Sequence, residues 1–179
     1  MKKFVSIILV SLMIASLAFA ALACGPGKNE DKPVRTADPN AGSPTEETFI
    51  PLDLDSIWER VNEAGKFGGM TAVLARDFSD IYGIDVSKVA DARWYMSENP
   101  AMNADEFAIF RVSDPEYREA LAEIFKARID RQIQVAEAYS PEQAAKLKKT
   151  EVIISGPYVY FCVGDEYDAV MKVLEPAVR

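Results

Sequence analysis

Histidine is missing from all 179 residues. With it go the side chain most often used as a general base near neutral pH and the commonest zinc ligand. Cysteine is nearly missing too. Cys24 and Cys162 are the only two, and acylation of Cys24 would leave Cys162 without a disulfide partner. Positive charge is scarce: 20 Lys and Arg stand against 28 Asp and Glu, a formal net charge of −8. Such a chain is repelled by phosphate backbones and anionic lipid heads, which sets nucleic acid aside as a partner. No metal site and no cofactor are expected. What remains is 49% hydrophobic and 27% charged, the composition of one ordinary globular domain.

The amino end is the most explicit stretch. Lys2 and Lys3 form a short basic region, and Phe4 to Ala20 is apolar except for Ser6, Ser11 and Ser16. Ala21-Leu22-Ala23 then leads into Cys24. This is the layout of a secretory signal. A cysteine straight after a small-residue cleavage site resembles the bacterial lipobox, in which the thiol is acylated (palmitate is a typical chain) and the leader is cut before it. Residues 1–23 are therefore expected to be a signal peptide, with cleavage between Ala23 and Cys24 and a lipid on Cys24. The run is also just long enough to span a bilayer, so an uncleaved anchor and simple secretion are the alternatives. One acyl chain anchors only marginally, at about 0.8 kcal/mol per buried methylene, whereas two or three hold firmly.

Residues 24–50 read as a tether. Pro26, Pro33, Pro39 and Pro44 punctuate Gly25 to Ile50, and no apolar periodicity survives. Such a stretch does not bury enough surface to offset its ordering entropy, and a flexible chain of that length reaches about 30 Å.

Residues 51–179 read as one α+β domain. A helix through Ile57, Trp58, Val61 and Ala64 is capped by Asp53 or Asp55 and stopped at Gly65. Trp58 reads as a core anchor. A loop over Lys66 to Gly69 and a short helix through Val73, Phe78 and Tyr82 follow, ending at Gly83. Val89 to Ser97 and Asp105 to Val112 alternate as strands and form one hairpin. Asp114 with Pro115 opens the longest helix, whose apolar stripe is Tyr117, Leu121, Ile124, Phe125, Ile129 and Ile133. Ser140-Pro141-Glu142-Gln143 reads as a capping box for a short helix to about Lys148. Glu151 to Ser155 and Tyr158 to Gly164 make a second hairpin around Gly156-Pro157, with positive φ expected at Gly156. Asp165 caps a last helix through Val170 and Leu174. The expected fold is thus helix-helix-hairpin-helix-helix-hairpin-helix around an antiparallel four-stranded sheet.

Candidate chemistry is thin. Asp105 and Glu106 are adjacent and point to opposite faces of a strand, so they are no carboxylate pair. Glu106 precedes a very apolar strand and is the first acidic residue to test. Asp165, Glu166 and Asp168 suit a helix start better than a calcium loop. Lys146, Lys148 and Lys149 complement a helix C-terminus. Cys162 lies mid-strand as a buried thiol. If Val159, Phe161 and Val163 face the long helix, Tyr158 and Tyr160 face away, with Arg93, Tyr95, Phe107 and Arg111 on the same side. Such an aromatic face with arginines suits a partner protein or a glycan, unless the first two helices cover it.

Several segments carry a resemblance: Ile81-Tyr82-Gly83-Ile84-Asp85, Ala104-Asp105-Glu106-Phe107-Ala108-Ile109-Phe110, Arg128 to Gln132, Ala138-Tyr139-Ser140-Pro141-Glu142-Gln143, and Gly156-Pro157-Tyr158-Val159. In this order they resemble the domain-of-unknown-function family numbered 4358. The resemblance implies a lipoprotein of a Gram-positive envelope and adds no chemistry.

The expected function is a non-enzymatic binding or accessory domain, lipid-anchored at the outer face of the cytoplasmic membrane, with an envelope protein or glycan as partner. A further possibility is an accessory subunit of an export or spore-envelope assembly. The alternative is a small envelope hydrolase or metal-dependent enzyme using carboxylates such as Glu106. Cys24→Ser should abolish both lipid labelling and cleavage at this site. Acylated mature protein from that variant would refute the lipobox assignment.

Overall fold

The computed structural model describes residues 50–179, together with the backbone of 35–36. The signal peptide, Ala23, Cys24 and the rest of the tether lie outside the described residues. Within the stretch expected to be a spacer, a two-residue strand β1 (Arg35–Thr36) pairs parallel with Ile153–Ile154.

The first helix, α1 (Leu54–Gly65), begins where Asp53 accepts the backbone N–H of Asp55 at 3.1 Å and the Ser56 hydroxyl at 2.6 Å. It ends with Lys66 in the left-handed region at φ 50°. Gly65 is required for space: a Cβ there would sit 2.6 Å from the Phe67 ring. Strand β2 (Met70–Ala72) follows, then helix α2 (Ala75–Asp80). Strands β3 (Val89–Ser97) and β4 (Glu106–Val112) form the first hairpin. A short 3-10 turn over Pro115–Tyr117, capped by Asp114, leads into α3 (Arg118–Tyr139). Helix α4 (Pro141–Lys148), the β5 (Ile153–Ser155) and β6 (Tyr158–Val163) hairpin and helix α5 (Tyr167–Ala177) complete the chain. Gly156 turns that hairpin at φ +53°, as expected.

One sheet runs β1-β5-β6-β4-β3-β2. Its five longer strands are all antiparallel, one more than the four expected. The extra strand is β2, which pairs Met70–Ala72 with Ser97–Tyr95 in a stretch expected to be loop and helix start. Three residues show no periodicity of their own. β2 forms because β3 otherwise presents an unpaired edge.

Helices cover both faces. Trp94, Ala108, Phe110, Val112, Val159, Phe161 and Val163 meet Phe78 of α2, Leu121, Phe125, Ile129 and Ile133 of α3, and Leu147 of α4. Phe107, Ile109, Tyr158, Tyr160 and Cys162 meet Leu54, Ile57 and Val61 of α1 and Val170, Met171 and Leu174 of α5. A strand buried on both sides needs no polar face, which is why Tyr158–Val163 is an unbroken apolar run. Among the described residues no helix is long and apolar enough to cross a membrane.

Two capping expectations are corrected. Ser140 makes no side-chain cap, and Gln143 instead accepts the Ala104 backbone N–H at 2.9 Å, pinning α4 to the loop before β4. Asp165 does not cap α5, which begins after Glu166 without a side-chain cap. Lys146 binds it instead. That lysine, expected at a solvated helix end, is buried and donates to Asp105 at 2.8 Å, Asp165 at 3.1 Å and Asn103 at 3.3 Å. Its three N–H donors are all used, which is what a buried ammonium requires. Burial opposes its charge, but the bonds and charges of Asp105 and Asp165 outweigh burial and raise its pKa. A raised folded value means that this stabilisation is complete below pH 10.5, the ordinary lysine value, and is lost as pH climbs above it. The unfolding free energy of the wild type should therefore fall more steeply above pH 10.5 than that of Lys146→Met. Parallel curves from denaturant titrations at stepped pH would contradict this.

Candidate functional site

The aromatic sheet face does not form a surface. Tyr158 and Tyr160 are buried beneath α1 and α5, so the cover comes from the first and last helices rather than the first two. Leu52 N–H donates to the Tyr158 hydroxyl at 2.8 Å. Tyr95 stacks on Trp58 with ring centroids 3.8 Å apart, and Trp58 also stacks on Phe107 at 5.7 Å. The Arg93 guanidinium is taken up by Asp55 at 2.6 and 2.7 Å and by Asp91 at 2.8 Å. Arg111 is half-buried in the same sheet face, its Nε buried without a partner. These residues do share one side, as expected, but the apolar area between them is spent on the core. Cys162 is fully buried, and burial pushes its thiol far above the ordinary range, so it is no nucleophile.

The polar feature of the opposite face is Glu106. It opens β4 and is 1% exposed. Its strand position turns it toward α3, where Arg128 and Gln132 stand one turn apart beside the buried stripe. Trp94 Nε1 and Arg128 Nε both donate to Oε1 at 2.7 Å. Arg128 Nη2 and Gln132 Nε2 both donate to Oε2 at 3.0 Å. An ionised carboxylate has about four acceptor positions, so this one is saturated. The Arg128 guanidinium lies over the Tyr82 ring at 4.9 Å and the Trp94 ring at 5.3 Å. Burial opposes its charge, and Glu106 outweighs burial, raising its pKa.

This arrangement floors a groove of about 620 Å³ between α3, α4 and the loop before β4. Pro100, Ala101, Val135, Ala136 and Leu147 supply apolar walls, and Tyr139, 86% exposed, stands at the rim. Arg128, Arg131, Gln132 and Gln143 supply the polar positions, and no acidic side chain lines it. The volume falls within the range of ligand pockets. Asp105, adjacent to Glu106, goes to Lys146 instead, so the two carboxylates serve different cations. Among the described residues no group of three or more Asp, Glu or Cys is placed to hold a metal ion.

Sequence reasoning singled out Glu106 and missed its partners. The available signal was a glutamate at the head of a strand too apolar to be solvated, which demands a cation. Arg128 and Gln132, spaced four residues apart on the amphipathic helix, were in position to supply it.

The class defined by this geometry is an α+β domain with helices on both faces of an antiparallel sheet and a basic-floored groove beside its longest helix. The family model described as Domain of unknown function (DUF4358) matches residues 63–164, and the chain belongs to that family. No curated protein and no solved structure matches it significantly. Three of the segments that carry the resemblance supply groove-lining residues: Ala104, then Arg128, Arg131 and Gln132, then Tyr139, Ser140 and Gln143; Tyr82 lies under the Arg128 guanidinium. Gly156 to Val159 is the exception.

Glu106→Gln should destabilise the fold by about 3 kcal/mol, because it leaves Arg128 partly buried without its countercharge. Glu106→Gln combined with Arg128→Met should recover part of that loss. Additive losses in urea titrations would contradict the pairing.

Proposed function

We propose that this chain is a lipid-anchored binding or accessory module at the outer face of a bacterial cytoplasmic membrane, and that the groove beside α3 is where it takes its partner. The observation that carries the binding role is the state of Glu106. All four of its acceptor positions are filled by Trp94, Arg128 and Gln132, so it has no lone pair left for a substrate proton. The carboxylate named for the hydrolase alternative is thereby a structural brace, and what it braces is a groove wall. Val135 is 61% and Tyr139 86% exposed, an investment of apolar surface that a partner would cover. The lipidation signal ending at Cys24 supports the envelope location, and the acidic domain suits display near, rather than on, anionic lipid.

The test is a photo-cross-linker placed at Tyr139 of the full chain in native membranes, with a second placed at Arg76, an exposed residue of α2. A discrete adduct at Tyr139 that is absent at Arg76 and absent with Val135→Glu is the expected result. Equal adducts at both positions, or none at Tyr139, would overturn the groove as the partner site.

A further inference from the structure

The groove also carries information about what it binds. Arg131 makes no hydrogen bond and no ion pair among the described residues, although acidic side chains outnumber basic ones in the chain. Arg128 spends Nε and Nη2 on Glu106, and its Nη1 is uncommitted. Gln132 donates from Nε2 to an acceptor-only carboxylate, which fixes the orientation of its amide. Its Oε1 is then a buried acceptor with no donor. The groove thus presents the unpaired charge of Arg131, and no acidic side chain lines it, the complement of a carboxylate.

Along α3, Arg131, Val135 and Tyr139 follow one another at intervals of four residues and form a single ridge. The ridge spans about 12 Å at 1.5 Å per residue, the length of about four residues of extended chain. A charge at one end and apolar contacts at the other set a polarity along it.

We propose that the groove binds an extended peptide segment of a partner protein in which a carboxylate, placed against Arg131, lies a few residues from an apolar side chain packed on Val135, Tyr139 and Leu147. This deepens the proposed function and rests on the groove being the partner site. A lipid is the poorer fit, because a chain of net charge −8 is repelled by an anionic bilayer.

The experiment measures fluorescence anisotropy of dye-labelled, terminally blocked leucine-rich pentapeptides against the full chain. The peptides differ only in carrying one Asp, Asn or Lys. The Asp peptide should bind about tenfold more tightly than the Lys peptide, the scale of one close ion pair. Arg131→Glu should invert that order and Tyr139→Ala should weaken all three. Both residues are exposed and their replacement leaves the core intact, which circular dichroism and thermal unfolding would check. Equal affinities, or a preference that survives Arg131→Glu, would overturn the proposal. So would phosphatidylglycerol vesicles binding with the same sensitivity to Arg131→Glu while the peptides do not bind. A Tyr139 adduct in membranes together with indifferent peptides would sink this ligand class and leave the groove's binding role standing. Loss of both would sink the two together.

Discussion

The buried carboxylate of Glu106 is the constraint on which the groove depends. An isolated charge at that depth would cost several kcal/mol, and four donors converge to prevent that cost. Those donors come from three places: Trp94 on the neighbouring strand, and Arg128 and Gln132 on α3. The same bonds fix the rotation of α3 on the sheet, orient the Gln132 amide and hold the Arg128 guanidinium over the Tyr82 and Trp94 rings. Remove the charge and each of those positions loses its reason.

Around this centre the two faces of the sheet are unlike. The α1/α5 side is closed by aromatic stacking of Trp58 on Tyr95 and Phe107, and Arg93 there is satisfied by Asp55 and Asp91. The α3 side carries the Glu106–Arg128 core, and a second polar core, Lys146 with Asp105 and Asp165, lies at the head of β4. The second of these ties α4 to the loop before β4 and to the start of α5, while Gln143 ties α4 to Ala104. The groove wall formed by α4 is therefore held at both ends by polar bonds rather than by apolar packing alone. A groove on such supports is pre-formed, which would lower the ordering cost of any association there.

Much of the fold was legible in the residues. Asp53, Asp114 and Gly156 announced their cap and turn roles through local chemistry, and the alternation of β4 and β6 assigned each side chain to the correct face. What was not legible depended on long-range pairing. Met70–Ala72 becomes a strand only because β3 offers an edge. Ser140-Pro141-Glu142-Gln143 has the form of a capping box, but a tertiary acceptor role for Gln143 won over the local one. Lys146 looked like a helix-end cation because helix dipoles are local and ion pairs across 41 residues are not. The candidate surface of Arg93, Tyr95, Arg111, Tyr158 and Tyr160 lies on one side, and of its cover α1 was among the helices expected there, whereas α5 was not, because no local pattern names its packing partner.

The Glu106 brace is tested by the Nε–Hε resonance of Arg128 in a heteronuclear NMR spectrum of the full chain. With that hydrogen donated to a buried Glu106 oxygen at 2.7 Å, the signal should exchange slowly at neutral pH and disappear in Glu106→Gln. An Arg128 signal that exchanges with water as fast as that of exposed Arg131, or that is unchanged by Glu106→Gln, would contradict it.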